Sequence, residues 1–339
     1  MSQANLKVAL GAMTFGPKGA RSGQVHRLED QATMLDVFQK HGHQEIDTAR
    51  LYTGGHSESM LAQNNWQSRG LAMATKLYPT RALREDMRKA MQLPSYDHSP
   101  TELRRGLKES LEALGTDKID IFYLHGPDRN TPYEDTLREI NALYKEGHFS
   151  RFGLSNFMAW EVAQMCEISI RNNWLLPTVY QGVYNVFSRR IEDELIPCLR
   201  TYNISFYAYA PLGGGLLTGK YTRDQTDFEP GSRFDPGTLT AMTHRPRYWN
   251  DLYFDGIEEV RAEADKHALT LAEVALRWLS WHSRLEKNRG DAVIVGASSI
   301  KHLEQNLEDL EKGSLPKDVV QALDSAYSKI RGIAPTYFQ

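Results

Sequence analysis

Eight short apolar runs punctuate this chain, and amphipathic, charged stretches separate them. The runs are LKVALGAM (6–13), QEIDTARLY (44–52), GLAMATKLY (70–78), KIDIFYLHG (118–126), SRFGLSNF (150–157), TVYQGVYN (178–185), ISFYAYAPL (204–212) and DAVIVGAS (291–298). Stretches with helical spacing lie between them, among them 28–41, 101–114, 133–146, 159–171 and 191–202. Strands alternating with helices read as βαβ units in a parallel sheet. The uninterrupted apolar character of IDIFYL and DAVIV fits strands buried on both faces. Eight such alternations favour a closed barrel over an open doubly wound sheet. The expectation is an α/β protein, a single (β/α)8 TIM barrel over residues 1–339, a length this fold accommodates when it carries insertions. Two departures from a plain barrel are expected. Residues 213–251 form a long Gly/Pro/polar segment after the seventh strand, and connections that long are usually functional or disordered. Extra helices follow, over 251–267 and 270–281 before the eighth strand, and over about 316–330 near the end.

Composition narrows the function classes. Apolar residues make up 41% of the chain, enough for a large core. The net charge of −3 and sequence pI of about 6.4 leave no basic excess to hold nucleic acid or an anionic membrane. Cys166 and Cys198 share no zinc-like or redox-like spacing, which points to a reduced, cytoplasmic setting. MSQANLKVALGAM lacks the charged-then-apolar run of a signal peptide, and no run of about 18 apolar residues suggests a membrane span. The expected partner is a small molecule, with neither nucleic acid nor membrane.

In a parallel barrel the C-terminal strand ends converge on one face, where groups from separate strands meet. Asp47, Tyr52, Lys76 and His125 fall at or just after such ends. A tyrosine near a strand end, taken alone, more often packs than reacts, and a lone histidine can be a satisfied core residue. A lysine inside the apolar strand MATKLYP is harder to dismiss, because buried lysine needs a partner. Four such groups on adjacent strands point to a proton-transfer site. A phenol is a poor acid near neutral pH; a nearby ammonium lowers its pKa, and a carboxylate holds the ammonium in place.

The motifs EIDTARLYTGGHSE, MATKLYP, IFYLHGPD and RFGLSNF resemble the aldo-keto reductase superfamily in order and spacing, over nearly the whole chain. GGGLLTGKY, VGASSIKHLEQNL and PTYFQ are most similar to its aflatoxin-aldehyde and succinic-semialdehyde reductase branch. The resemblance implies NADPH-dependent reduction of aldehydes, with Tyr52 as general acid, Lys76 lowering its pKa, Asp47 pairing with Lys76, and His125 orienting the carbonyl. It implies that Ser155, Asn156 and Gln181 hold the nicotinamide carboxamide and that Tyr209 stacks on the ring. The loop from Leu212 and Gly214 through Lys220 and Arg233 would fold over the pyrophosphate. Gly296, Ser298, His302, Gln305 and Asn306 match positions for the adenosine half; His302 stands near where the superfamily most often has arginine. Met13, Arg245, Trp249, Tyr337 and Phe338 are the candidate substrate contacts, Arg245 for a distal carboxylate. The branch is often dimeric, so the resemblance allows a homodimer. It also allows an alternative: a nicotinamide-binding redox-sensing subunit with little turnover, similar to potassium-channel β-subunits.

Two further patterns have other readings. GGLLTGK (214–220) matches a phosphate-binding P-loop by count, but Tyr221 stands where the Mg²⁺-binding hydroxyl belongs. His41-Gly42-His43 has metal-ligand spacing but precedes the second strand, away from the catalytic face, so no metal is expected.

Overall fold

The computed structural model describes residues 4–90, 94–229, 231–238 and 240–339. Its strands are β1 (Lys7–Gly11), β2 (Glu45–Asp47), β3 (Ala72–Leu77), β4 (Ile119–Leu124), β5 (Phe149–Ser155), β6 (Val179–Val183), β7 (Ser205–Tyr209) and β8 (Ala292–Val295). Each pairs in parallel with the next, and β8 closes on β1. Every apolar run of the sequence holds one strand, so the (β/α)8 barrel is as expected. The strand lengths differ. β2 ends at Asp47, not Tyr52, because the chain climbs out of the sheet there. It stays anchored as it climbs: the amides of Thr48 and Arg50 donate to the carbonyls of Ala74 and Lys76 at 2.9 and 3.0 Å. That climb lifts Tyr52 above the barrel end.

Two layers of apolar packing hold the barrel. Outward-facing residues such as Phe122, Leu124, Phe152 and Phe206 pack under the helices. Inward-facing Ala9, Ala74, Ile121, Tyr123, Val179, Tyr207, Ala292 and Ile294 fill the interior. Gly153 makes room for Tyr123, since a Cβ there would lie 2.3 Å from the ring. The N-terminal end is sealed by a polar plug. Arg151 donates to Glu45 at 3.0 Å, Lys7 donates to the Tyr207 hydroxyl at 2.9 Å, and Lys7 pairs with Glu45. The floor is therefore closed, and only the C-terminal face is available for a site.

Helices Leu28–Lys40, Pro100–Leu114, Tyr133–Lys145, Ala159–Asn172 and Leu195–Thr201 wrap the barrel. Pro100–Leu114 shows why such stretches start and stop where they do: proline occupies its first turn, and Gly115 closes it at φ 66°. Asp251–Asp265, Leu271–Trp281, Ile300–Glu311 and Lys317–Ile330 complete the C-terminal part. The described residues of the segment after β7 form structured elements with packing of their own. It opens with a 3₁₀ turn, Gly213–Thr218, and contains a helix, Ala241–Tyr248, that sequence pattern did not reveal. Its own small core consists of Tyr221, Phe228, Phe234 and Trp249, whose ring centroids lie 5.0–6.4 Å apart.

His41 pairs with Glu311 at 2.9 Å, and His43 is buried 5.2 Å from the Phe38 ring; both precede β2. Cys166 and Cys198 are free thiols. Among the described residues no helix is long and apolar enough to cross a membrane.

Candidate active site

Three adjacent strands deliver the four residues singled out in the sequence. Asp47 is the last residue of β2, Lys76 lies one residue from the end of β3, and His125 directly follows β4. Tyr52 begins a tight 3₁₀ turn in which Thr53 and Gly54 take left-handed backbone angles. The Lys76 ammonium is fully buried and spends its donors on three neighbours. Nζ donates to Asp47 Oδ2 at 2.8 Å and to the Thr48 carbonyl at 2.7 Å, and lies 3.3 Å from the Tyr52 hydroxyl. The Tyr52 and His125 rings meet edge to face with centroids 5.7 Å apart, and Tyr78 covers the other side of His125 at 5.8 Å.

Burial dominates the electrostatics. It pushes the Asp47 carboxyl above its usual range, and the Lys76 charge partly offsets this. It pulls the Lys76 ammonium down, against the pull of Asp47. Each ion of the pair is thus stabilised chiefly by the other. His125 is driven well below 6.5 by burial and by the Lys76 charge, so its ring is neutral. The Tyr52 phenol is raised well above 10, by burial first and by Asp47 second, while the Arg233 cation opposes the rise. The phenol is accordingly protonated at neutral pH, the form that can give up a proton. His125 Nδ1 is enclosed without a hydrogen-bond partner among the described residues.

Beside this relay lies a shelf formed by β5, β6 and β7. Ser155 and Asn156 follow one another at the end of β5, and Asn156 sits at φ 66°, which asparagine tolerates better than most residues. Its side-chain amide donates to the His125 carbonyl at 2.9 Å and to Ser155 Oγ at 3.0 Å. The Tyr209 hydroxyl donates to Asn156 Oδ1 at 2.8 Å. Gln181 Nε2 donates to Asp47 Oδ1 at 2.7 Å, so the shelf and the relay are physically joined.

The model for the aldo/keto reductase family matches residues 7–328. This chain belongs to that family. Aldo-keto reductase pigE of Monascus ruber is 46% identical over 98% of this chain and 96% of its own length. Human aldo-keto reductase family 7 member A3 is 40% identical over 100% and 99%. Mouse aflatoxin B1 aldehyde reductase member 2 is 41% identical over 97% and 87%. The chain is an oxidoreductase of this family, and the branch that its motifs resembled is the branch of these relatives.

The other expected site residues of this aldo/keto reductase divide into those at the mouth and those held elsewhere. Met13 lies two residues after β1, and Leu212 and Gly214 follow β7, all at the C-terminal face of the barrel. Lys220 is exposed, 3.9 Å from Glu229 and 5.0 Å from the Tyr221 ring. Arg233 is half-buried and lies near enough to Tyr52, Tyr221 and Tyr248 to act on each electrostatically. Arg245 is committed to the loop's own core: Nη1 donates to the Phe234 carbonyl at 3.0 Å, and the guanidinium lies 4.4 Å from the Trp249 ring. Trp249 belongs to that same aromatic core. After β8, Gly296 and Ser298 are exposed, and Ser298 Oγ lies 3.0 Å from His302 Nδ1. Ser299 caps the helix that carries His302, Gln305 and Asn306; Gln305 donates to Asp309 at 3.1 Å, while Asn306 is buried.

The tail of this aldo/keto reductase is pinned at Tyr337, expected as a substrate contact but buried in the body of the fold, and at Gln339, which sequence reasoning missed. Tyr337 is buried, donates to Glu194, and accepts from the Ala159 amide at 3.1 Å, so it anchors the tail from the body of the fold. Phe338 packs edge to face on it at 5.2 Å. Gln339 is the residue that reaches the mouth: its side chain accepts from the Tyr78 hydroxyl at 2.9 Å, and its amide donates to the Asn156 carbonyl at 3.1 Å. Arg50 and Glu58 also went unassigned. Arg50 Nη1 donates to the fully buried Glu58 carboxylate at 2.7 Å, and Thr75 donates to the same group at 2.6 Å, bracing the turn that bears Tyr52. The GGHSE motif holds the signal, since a buried glutamate needs a cation near in the fold.

Proposed function

We propose that this chain reduces aldehydes to alcohols with NADPH, with Tyr52 as the general acid. The observation that carries the reading is the single buried ammonium, Lys76, bonded at once to Asp47, to a backbone carbonyl and to the phenol. The residues at the mouth suit a dinucleotide. Gly213, Gly214 and Gly215 all take positive φ, a conformation that frees backbone amides for a phosphate, and among the described residues Arg233 forms no ion pair. Ser155, Asn156, Gln181 and Tyr209 offer the amide, hydroxyl and ring groups that a nicotinamide needs. Lys220, Gly296, Ser298, His302, Gln305 and Asn306 are the further candidate contacts of this reading. When bound, a reduced nicotinamide supplies the hydride.

The protein's own groups then do the rest. A carbonyl oxygen seated between Tyr52 and neutral His125 accepts a hydrogen bond from each. As hydride reaches the carbon, charge builds on that oxygen, and the Tyr52 O–H bond breaks to protonate it. The phenolate left behind faces the Lys76 ammonium, held by Asp47 and Thr48, and the Arg233 cation. Burial makes that phenolate costly, and these two positive charges limit the cost. The relatives named as aldehyde reductases support an aldehyde as the substrate class. A carboxylate-bearing aldehyde is the preferred substrate in this reading. Arg245 is a weaker choice for its anchor than the sequence suggested, because its guanidinium is already engaged.

The test is loss of NADPH absorbance with 4-nitrobenzaldehyde and 2-carboxybenzaldehyde, for the wild type and Tyr52→Phe. The variant keeps the ring and loses the proton, so turnover should fall about 10²–10⁴-fold with NADPH affinity unchanged. Near wild-type turnover in Tyr52→Phe would overturn the mechanism. Bound NADPH with negligible wild-type turnover would replace the enzyme by a redox-sensing subunit.

A further inference from the structure

Asp47, Lys76 and Tyr52 hold one another, but His125 Nδ1 has no hydrogen-bond partner among the described residues. The imidazole is flanked edge-on by the rings of Tyr52 and Tyr78, with centroids 5.7 and 5.8 Å away. Ring contacts of this kind let a side chain slide with its backbone. The place of the imidazole therefore depends on the turn that carries it. That turn, residues 125–128, follows β4 and is fixed at three points. The His125 amide donates to the Leu77 carbonyl at 2.9 Å, and the Asn156 side-chain amide donates to the His125 carbonyl at 2.9 Å.

Asp128 is the third point. Its buried carboxylate accepts from the Asn130 amide on Oδ1 at 3.0 Å, and from the Thr131 hydroxyl and the His98 amide on Oδ2 at 2.7 and 2.9 Å. Burial pushes this carboxyl up, but the hydrogen bonds outweigh it and hold the group below its usual range, so it is ionised at neutral pH. The bonds to Asn130 and Thr131 are local and would close a turn wherever it stood. The bond to His98 is different, because His98 comes from the segment between β3 and the helix Pro100–Leu114. The same buried histidine reaches the other end of the turn. Its Nε2 lies 3.4 Å from the Leu77 carbonyl, the oxygen that also takes the His125 amide. His98 is itself tied to the helix after β4, since its carbonyl accepts from the Thr136 hydroxyl at 3.1 Å. The turn has little slack: a Cβ on Gly126 would lie 2.9 Å from the Tyr78 ring.

We propose that Asp128 is a positioning residue for His125: by clamping the turn after β4 to His98, it fixes where the imidazole meets the substrate carbonyl. The meeting with a carbonyl rests on the reductase reading; the clamp does not.

The first measurement reads the ring itself. In protein labelled at histidine, the imidazole ¹⁵N signal of His125 is the one missing from His125→Asn. Asp128→Ala should shift that signal. Asp128→Asn, which keeps one oxygen for the His98 amide, should restore part of the shift. An unmoved His125 signal in Asp128→Ala overturns the clamp, whether or not the protein is a reductase. The second measurement is a double-mutant cycle on the turnover of 4-nitrobenzaldehyde with NADPH. Asp128→Ala should lower kcat about tenfold, as a small misplacement at a reacting centre does, and leave the Kd for NADPH unchanged. In the His125→Asn background the same substitution should cost nothing more. Losses that multiply, or a raised Kd for NADPH, would make Asp128 a general support of the fold and overturn its role toward His125. If Asp128→Ala does not fold, Asp128→Asn carries both measurements. A wild type without turnover, whose His125 signal still moves in Asp128→Ala, would sink the reductase reading and leave the clamp standing.

Discussion

Both oxygens of Asp47 are taken, Oδ2 by Lys76 and Oδ1 by Gln181. That arrangement makes Asp47 the link between the buried Lys76 cluster and the shelf built on β5, β6 and β7, and it sets a test. Asp47→Asn removes the charge that holds the buried Lys76 ammonium up against desolvation. The Lys76 pKa should fall further, so the alkaline loss of activity should set in at lower pH than in the wild type. Turnover at neutral pH should drop about 10²-fold. An unmoved pH profile would mean that the pair only holds the fold together. The relay was legible in the sequence because each of its members sits at or just beyond a strand end, where period and topology fix the direction of a side chain. The direction of Arg245 was not legible, because it lies on the Ala241–Tyr248 helix, which the sequence pattern did not reveal, and that helix turns its guanidinium toward Phe234 and Trp249.

The turn that bears Tyr52 is held by its neighbours in the chain. Gly55 takes φ 92°, and a Cβ there would lie 2.7 Å from Arg50 Nη1, so glycine lets the turn fold onto the Arg50–Glu58 pair. Glu58→Gln leaves Arg50 with a neutral partner on the buried side and the Glu109 carboxylate, 3.7 Å from its Nε, as its remaining ion pair. The variant should lose about 2–3 kcal/mol of stability in urea unfolding. It should also turn over 4-nitrobenzaldehyde more slowly, because the Tyr52 turn loosens. Wild-type stability and turnover together would show that the brace is dispensable. At this scale the strands were readable in number and place, since each needed an apolar run, but not in length, since the sheet ends where the chain climbs toward the site. The Ala241–Tyr248 helix was hidden by Pro246 within it, a residue that reads as a breaker. What keeps it is the aromatic core beneath, which pattern alone does not assemble.

Across the whole molecule, burial leaves several histidines neutral. His98 lies fully buried beside the Leu77 carbonyl at the end of β3 and is pulled down to about 4; His43 and His244 move the same way. An unfolded histidine titrates near 6.5. Between those values the unfolded chain binds protons that the folded one does not. The stability is therefore complete above pH about 6.5 and is lost as pH falls toward 4, with about 3 kcal/mol attached to His98. His98→Gln should flatten the decline of melting temperature between pH 6.5 and 4.5. An identical slope in the variant would remove His98 from the account.

The first and last described residues lie at opposite faces of the barrel. Residues 4–6 run into β1 at the sealed floor, whereas Gln339 lies at the mouth, bonded to Tyr78 and Asn156. A purification handle or fusion partner joined before β1 would hang below the closed floor, clear of ligand traffic. The same addition after Gln339 would emerge in the doorway, where its bulk would throttle exchange. Comparing the two fusions would turn the placement of the ends into a direct measure of how far substrate and product depend on that doorway.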